Sequence, residues 1–182
     1  MAAALAVGAS CVACNGCQSS SSHPSAVPGL ALGAITVTSK AFASGAAIPV
    51  DYSCDGADRS PPLTWSAPPE GTRALAIVVD DPDAPGGDFT HWLAFGMPAS
   101  TLALPEAADV ASLGGAEGIN GFGRPGWGGP CPPRHELHHY HFRVFALDAP
   151  LAVKPGASRD AVDGAMSGHV LAEGSLVGTF SH

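Results

Sequence analysis

An apolar run, Ala76-Ile77-Val78-Val79, stops at three carboxylates interleaved with two prolines, Asp80-Asp81-Pro82-Asp83-Ala84-Pro85. The run reads as a buried strand, and the way it ends narrows what can follow. Each proline fixes its own φ and pushes the residue before it into an extended conformation, so these carboxylates are held rather than swept through solvent. A few residues on, Thr90-His91-Trp92-Leu93 brings a histidine onto the next strand. Rigid carboxylates beside an incoming imidazole mark a candidate site.

Composition points the same way. The chain of 182 residues suits one domain with a sizeable core. Charged residues make up only 13%, while 23 glycines and 17 prolines favour short strands joined by many turns, so a mainly β fold is expected. A formal net charge of -8, with Lys40 and Lys154 as the only lysines, argues against a nucleic-acid partner, which would need clustered cations. No apolar run is long enough to span a bilayer.

Residues 1–33 read as a leader and flexible linker, and residues 34–182 as the domain. Met1 to Ala13 is small and apolar, carries Cys11, leads to Cys14 and Cys17, and gives way to the polar run Gln18 to Ser25. That order resembles an export signal ending at a lipid-attachment cysteine, with Cys14 or Cys17 as acceptor. It lacks a basic start and a leucine three residues before the acceptor. The expectation is an exported, periplasmic or lipid-anchored protein, or a cytoplasmic one if the leader is no signal. An iron–sulfur reading of the three cysteines lacks a nearby fourth ligand.

Within the domain, Ile35–Ser39 alternates like a strand and Ala47–Tyr52 reads as a second short one, with Pro49 at an edge. A polar loop from Ser53 leads into Leu63-Thr64-Trp65, Arg73–Val79 is the buried strand, and Phe89–Met97 is the next. Residues 105–136 are rich in glycine and irregular, as functional loops often are. From His138 to Leu147, alternation puts His138, Tyr140, Phe142 and Val144 on the inward face, with His139, His141, Arg143 and Phe145 opposite. Ser158–Glu173 has helical character, Gly174 would cap it, and Ser175–Ser181 is a closing strand.

The groups able to carry chemistry are Asp81, Asp83, His91, the Gly129-Pro130-Cys131 loop, His138 and Tyr140. Singly, each has a structural explanation: a strand histidine bonded in place, an aspartate opening a turn, a buried cysteine. Together they stand next to turns at strand ends, where a pocket can open. Imidazoles and a phenol donate hydrogen bonds, and glycines admit close backbone approach, so the set suits a small anion, phosphate-bearing or carboxylate. An aspartate among them fixes a histidine's tautomer and favours its charged form.

These stretches, with Cys54-Asp55-Gly56, Ser60-Pro61-Pro62-Leu63-Thr64-Trp65 and His138-His139-Tyr140, resemble the phosphatidylethanolamine-binding protein family over residues 35–181. The likeness is nearest to its bacterial and archaeal Raf kinase inhibitor-like branch. The resemblance implies an antiparallel β-sandwich with a small C-terminal helical element and a pocket for an anion or phospholipid headgroup. It assigns that pocket to Asp81, His91, Gly129, Pro130, His138 and Tyr140, with Pro82, Asp83 and Pro85 shaping the turn. Arg134-His135-Glu136-Leu137 departs from the glycine usual before the histidine strand, which makes the rim bulkier and more charged.

Other readings stay open. A hydrolase could use Asp81 with His91 or His138 as acid and base, or Cys131 as nucleophile, but no Gly-x-Ser-x-Gly elbow is present. A Cys54–Cys131 disulfide, favoured by export, would remove that thiol. His139 and His141 share a strand face that could hold a metal but points away from His138. A protease- or kinase-inhibitor role and a homodimer are further options. No cofactor is called for, and contact with a membrane would come only through a lipid anchor.

Overall fold

The computed structural model describes Met1 and residues 32–182. The leader expectations, with Cys14 and Cys17 as lipid acceptors, therefore lie outside the described residues.

The domain is built mainly of strands: β1 Gly33–Ala34, β2 Val37–Thr38, β3 Leu63–Trp65, β4 Ala74–Asp81, β5 Phe89–Pro98, β6 Ala103–Leu104, β7 Ala116–Glu117, β8 His138–Leu147 and β9 Val170–Phe180. One helix, α1, spans Arg159–Met166. A six-stranded sheet runs β1-β9-β8-β4-β5-β7, and a three-stranded sheet runs β2-β3-β6. All pairings are antiparallel except β1 with β9, so the larger sheet is mixed rather than purely antiparallel. The entering chain lies along the free edge of β9, where Ala47 also makes a parallel bridge to Thr179. An edge covered in this way presents fewer unpaired backbone groups to other chains.

Every residue of β4 is buried because both of its faces are covered. On one face, Ile77, Val79, Trp92, Phe142 and Val144 share a core with Val37, Leu63, Trp65 and Leu104 of the small sheet. On the other, Val78, Leu93, Phe95, Phe145 and Leu147 pack with Val162 and Met166 of α1. The inward set expected for β8 is buried, and Arg143 and Phe145 opposite it are buried too, beneath the helix layer.

Two local expectations give way. Pro49, with φ of -59°, leads into a 3-10 turn at Val50–Tyr52 where a strand was expected. Ser158 caps α1 by accepting from the Ala161 N–H, but the helix stops at Met166 and Gly168 turns with φ of 80°. Residues 170–173 then belong to β9, and Gly174 lies inside that strand rather than capping a helix. Its role is close approach: a Cβ there would strike the Ile35 carbonyl oxygen. Gly174→Ala is expected to destabilise the domain by about 1–3 kcal/mol, read as a lower urea midpoint at unchanged slope.

Candidate functional site

Strand alternation gives the three aspartates of the turn three different tasks. Asp80 faces the helix layer, fully buried, with Arg143 Nη2 at 3.4 Å and Arg159 Nη1 at 3.5 Å. Burial raises its pKa more than the two guanidinium groups lower it. Asp81 points the other way: Oδ1 accepts the Asp83 N–H at 2.9 Å, and Oδ2 accepts the His138 Nδ1–H at 2.7 Å. Asp83, half exposed, accepts from the His139 N–H at 2.8 Å and from His139 Nδ1 at 2.7 Å. That side-chain bond is the main cause holding its carboxyl below the ordinary value. The turn is thus tied to β8 through both Asp81 and Asp83, with Pro82 fixed between them.

The two site histidines are prepared in opposite ways. His91 Nδ1 lies 2.6 Å from the Gly128 carbonyl oxygen. A carbonyl only accepts, so Nδ1 carries the proton and Nε2 of the neutral ring is a bare acceptor. Burial lowers the His91 pKa, and the Gly128 carbonyl and Asp81 charge offset this only in part. His138 stands between two carboxylates, Asp81 at Nδ1 and Glu136 at Nε2, 3.2 Å away. Both partners accept, so both nitrogens donate. Burial works against that charge and is the largest single influence, but the bonds to Asp81 and Glu136 together with nearby charges outweigh it, and the His138 pKa is raised.

These side chains meet at a cavity of about 380 Å³ lined by Asp81, His91 and His138 and by the apolar walls Ala84, Pro85, Phe89, Phe122, Cys131, Pro132 and Pro133. Of the six pocket residues expected, Asp81, His91 and His138 line it. Gly129 and Pro130 are buried behind it as supports. The Gly129 N–H donates to Asp58 Oδ1 at 2.7 Å, the Pro130 carbonyl accepts the Cys54 N–H at 3.1 Å, and a Cβ on Gly129 would strike the Tyr52 carbonyl. Tyr140 is wholly buried, with its ring 5.1 Å from that of His91. Its hydroxyl has no hydrogen-bond partner of good geometry, and burial followed by the Asp81 charge raises its pKa, so it stays a protonated donor.

Cys54 and Cys131 form a disulfide with Cα atoms 5.5 Å apart. This staples the cavity wall to the polar loop that precedes β3. A nitrogen of His182 lies within 4.8 Å of both sulfurs, but the sulfurs are bonded to each other. His139, one of the two histidines considered for a metal, is engaged by Asp83.

Sequence reasoning missed several of these residues. Phe89 was legible, because it stands two residues before His91 on the same strand face. Phe122 was not: it lies in the irregular glycine-rich stretch, and its ring comes within 4.8 Å of Phe89 and 5.6 Å of His91 only through tertiary packing. Glu136 was visible as a rim residue, but its contact with His138 depends on a turn in which the Glu136 N–H bonds the Pro133 carbonyl and His135 takes a φ of 69°.

Comparison with known proteins agrees with this architecture. The family model for phosphatidylethanolamine-binding protein matches residues 38–181. A UPF0098 protein of Aquifex aeolicus is 46% identical over 150 residues, covering 79% of this chain and 86% of its own. A Mycobacterium tuberculosis protein provisionally named lipoprotein LppC is 42% identical over 147 residues, covering 80% of this chain and 72% of its own. Among solved structures, a phosphatidylethanolamine-binding protein homologue of Chlamydia trachomatis superposes with a TM-score of 0.76 at 35% identity, covering 82% of this chain and 98% of its own. Escherichia coli YbcL, described as a member of the mammalian PEBP family, gives 0.76 at 34% identity, covering 81% and 98%. With a family model spanning most of the domain and relatives this similar over most of their own length, the chain belongs to the phosphatidylethanolamine-binding protein family.

Proposed function

We propose that the cavity binds a small phosphate-bearing anion, free or as a phospholipid headgroup, without transforming it. The observation that carries this reading is the outward nitrogen of His138, a buried cationic donor already met by an oxyanion of the protein itself. Glu136 reaches it at 3.2 Å from an exposed loop, with its own side chain 54% exposed, so an incoming oxygen can replace it. A charge-assisted hydrogen bond in a sheltered site contributes about 1.5–3 kcal/mol. The aromatic and proline walls accommodate an organic substituent on the phosphate. Against a thiol hydrolase, Cys131 sulfur is held in a disulfide. The same disulfide suits an oxidising compartment, and with the lipoprotein name of one relative it supports an exported location.

Calorimetric titration with inorganic phosphate and phosphorylethanolamine from about pH 5.5 to about pH 8.5 tests the proposal. Because the His138 pKa is raised, its charge is complete below the ordinary imidazole value of about 6.5 and is lost as pH rises through the higher folded value. His91, with a lowered pKa, gains a second proton only at more acid pH. Affinity is therefore expected to rise as pH falls, in two stages. Absence of binding at every pH would remove the proposal.

A further inference from the structure

We infer that the cavity reads the proton on its ligand: His138 donates to one ligand oxygen while His91 Nε2 accepts from a ligand hydroxyl. Hydrogen-bearing oxyanions such as hydrogen phosphate and phosphomonoester monoanions are then taken in preference to sulfate and to phosphodiesters, so of the two sources named above the free phosphate or monoester is favoured over the diester of an intact phospholipid headgroup. The inference rests on the anion-binding proposal and names its ligand class.

The asymmetry between the two rings is fixed from behind. His91 has its Nδ1 proton committed to the Gly128 carbonyl, and that carbonyl is held because residue 128 also donates its N–H to the His91 carbonyl at 3.0 Å. The ring cannot flip its tautomer without setting two lone pairs against each other. Nε2 has no hydrogen-bond partner among the described residues, and the ring lines the cavity. His138 has a carboxylate at each nitrogen, so it presents a proton outward. The two rings thus offer one donor and one acceptor, while the Asp81 oxygens already accept from the Asp83 N–H and from His138.

Glu136, the present occupant of the donor, brings no proton for His91. Hydrogen phosphate satisfies both rings at once. Sulfate has the same shape but no proton near neutrality, so it would leave a lone pair of His91 facing a lone pair of its own. The charged groups acting on these rings are Asp80 and Asp81 for His91, and Asp81, Asp83 and Glu136 for His138. Asp81 is the other acceptor in the cavity, and the test has to separate it from His91.

The test compares phosphate with sulfate on the full-length protein by calorimetry. At about pH 7 phosphate is expected to bind at least about tenfold more tightly, the discrimination typical of leaving a buried polar group unpaired. At about pH 5 the ratio is expected to narrow, because a protonated His91 becomes a donor that sulfate can use. His91→Phe, which keeps a ring there but has no acceptor, should bring the two affinities to within about threefold. Nitrogen NMR of the wild-type imidazoles supplies a readout independent of that variant's folding: phosphate at neutral pH should shift His91 Nε2 while leaving the ring neutral. Equal affinities at neutral pH would overturn the inference and leave anion binding standing. Discrimination that persists in His91→Phe, or a His91 signal unmoved by phosphate, would assign the acceptor to Asp81 and overturn it too. Absence of binding by either ion at any pH would remove the underlying proposal.

Discussion

Reduction of the Cys54–Cys131 disulfide, or its replacement through paired Cys54→Ser and Cys131→Ser substitutions, is expected to lower the unfolding free energy by about 2–4 kcal/mol. The bond closes a loop across 77 residues of sequence. Chain entropy alone assigns such a closure about 4.5 kcal/mol, which is an upper value because the reduced chain keeps some order. The native loops would also stay partly together without the bond. The Cys54 N–H still donates to the Pro130 carbonyl, and the Gly129 N–H still donates to Asp58. The check is urea denaturation of the oxidised and reduced protein, and an unmoved midpoint would contradict it. Because Cys131 and the two prolines after it line the cavity, loosening this wall should also weaken phosphate binding in the reduced form.

How far the site was legible depends on whether a residue's task is set by local geometry. Asp81 and His91 stand near the ends of β4 and β5 and both line the cavity, Asp81 through alternation beside the proline-held turn, His91 at a register shift where β5 carries one extra residue between the partners of Val79 and Asp80. His138 and Tyr140 share a face of β8, yet only His138 lines the cavity; Tyr140 sits deeper in the core. Asp80 could not be separated from Asp81 by composition. Its partners, Arg143 and Arg159, come from β8 and α1, and nothing in the sequence says that a helix will cover that face. The Gly129-Pro130 loop was expected to offer backbone donors to a ligand, but its N–H is consumed by Asp58, 71 residues earlier in the chain. The strands of the large sheet were readable because apolar alternation reports burial. The end of α1 was not: Val170 and Leu171 satisfy a helical pattern and a strand pattern alike, and pairing with β8 decides the matter.

Asp81→Asn is expected to weaken phosphate binding at neutral pH by at least about tenfold and to match or exceed the wild type near pH 5. The crossover follows from what Asp81 does to His138. Burial lowers the His138 pKa, and the hydrogen bond and charge of Asp81 are foremost among the influences that overcome it. With asparagine in place, burial is opposed only by Glu136 and by more distant charge, so the folded pKa falls. At neutral pH a smaller share of the rings then carries the second proton, and losing that charged hydrogen bond to the ligand, about 1.5–3 kcal/mol, is equivalent to roughly 10- to 150-fold in affinity. Below the lowered pKa the imidazolium returns, and the anion no longer faces the Asp81 carboxylate across the cavity. Phosphate titrations of both proteins across pH, with an NMR titration of His138, measure the two halves of this argument. An affinity loss of the same size at every pH would mean that Asp81 shapes the cavity through its turn alone, without setting the charge of His138.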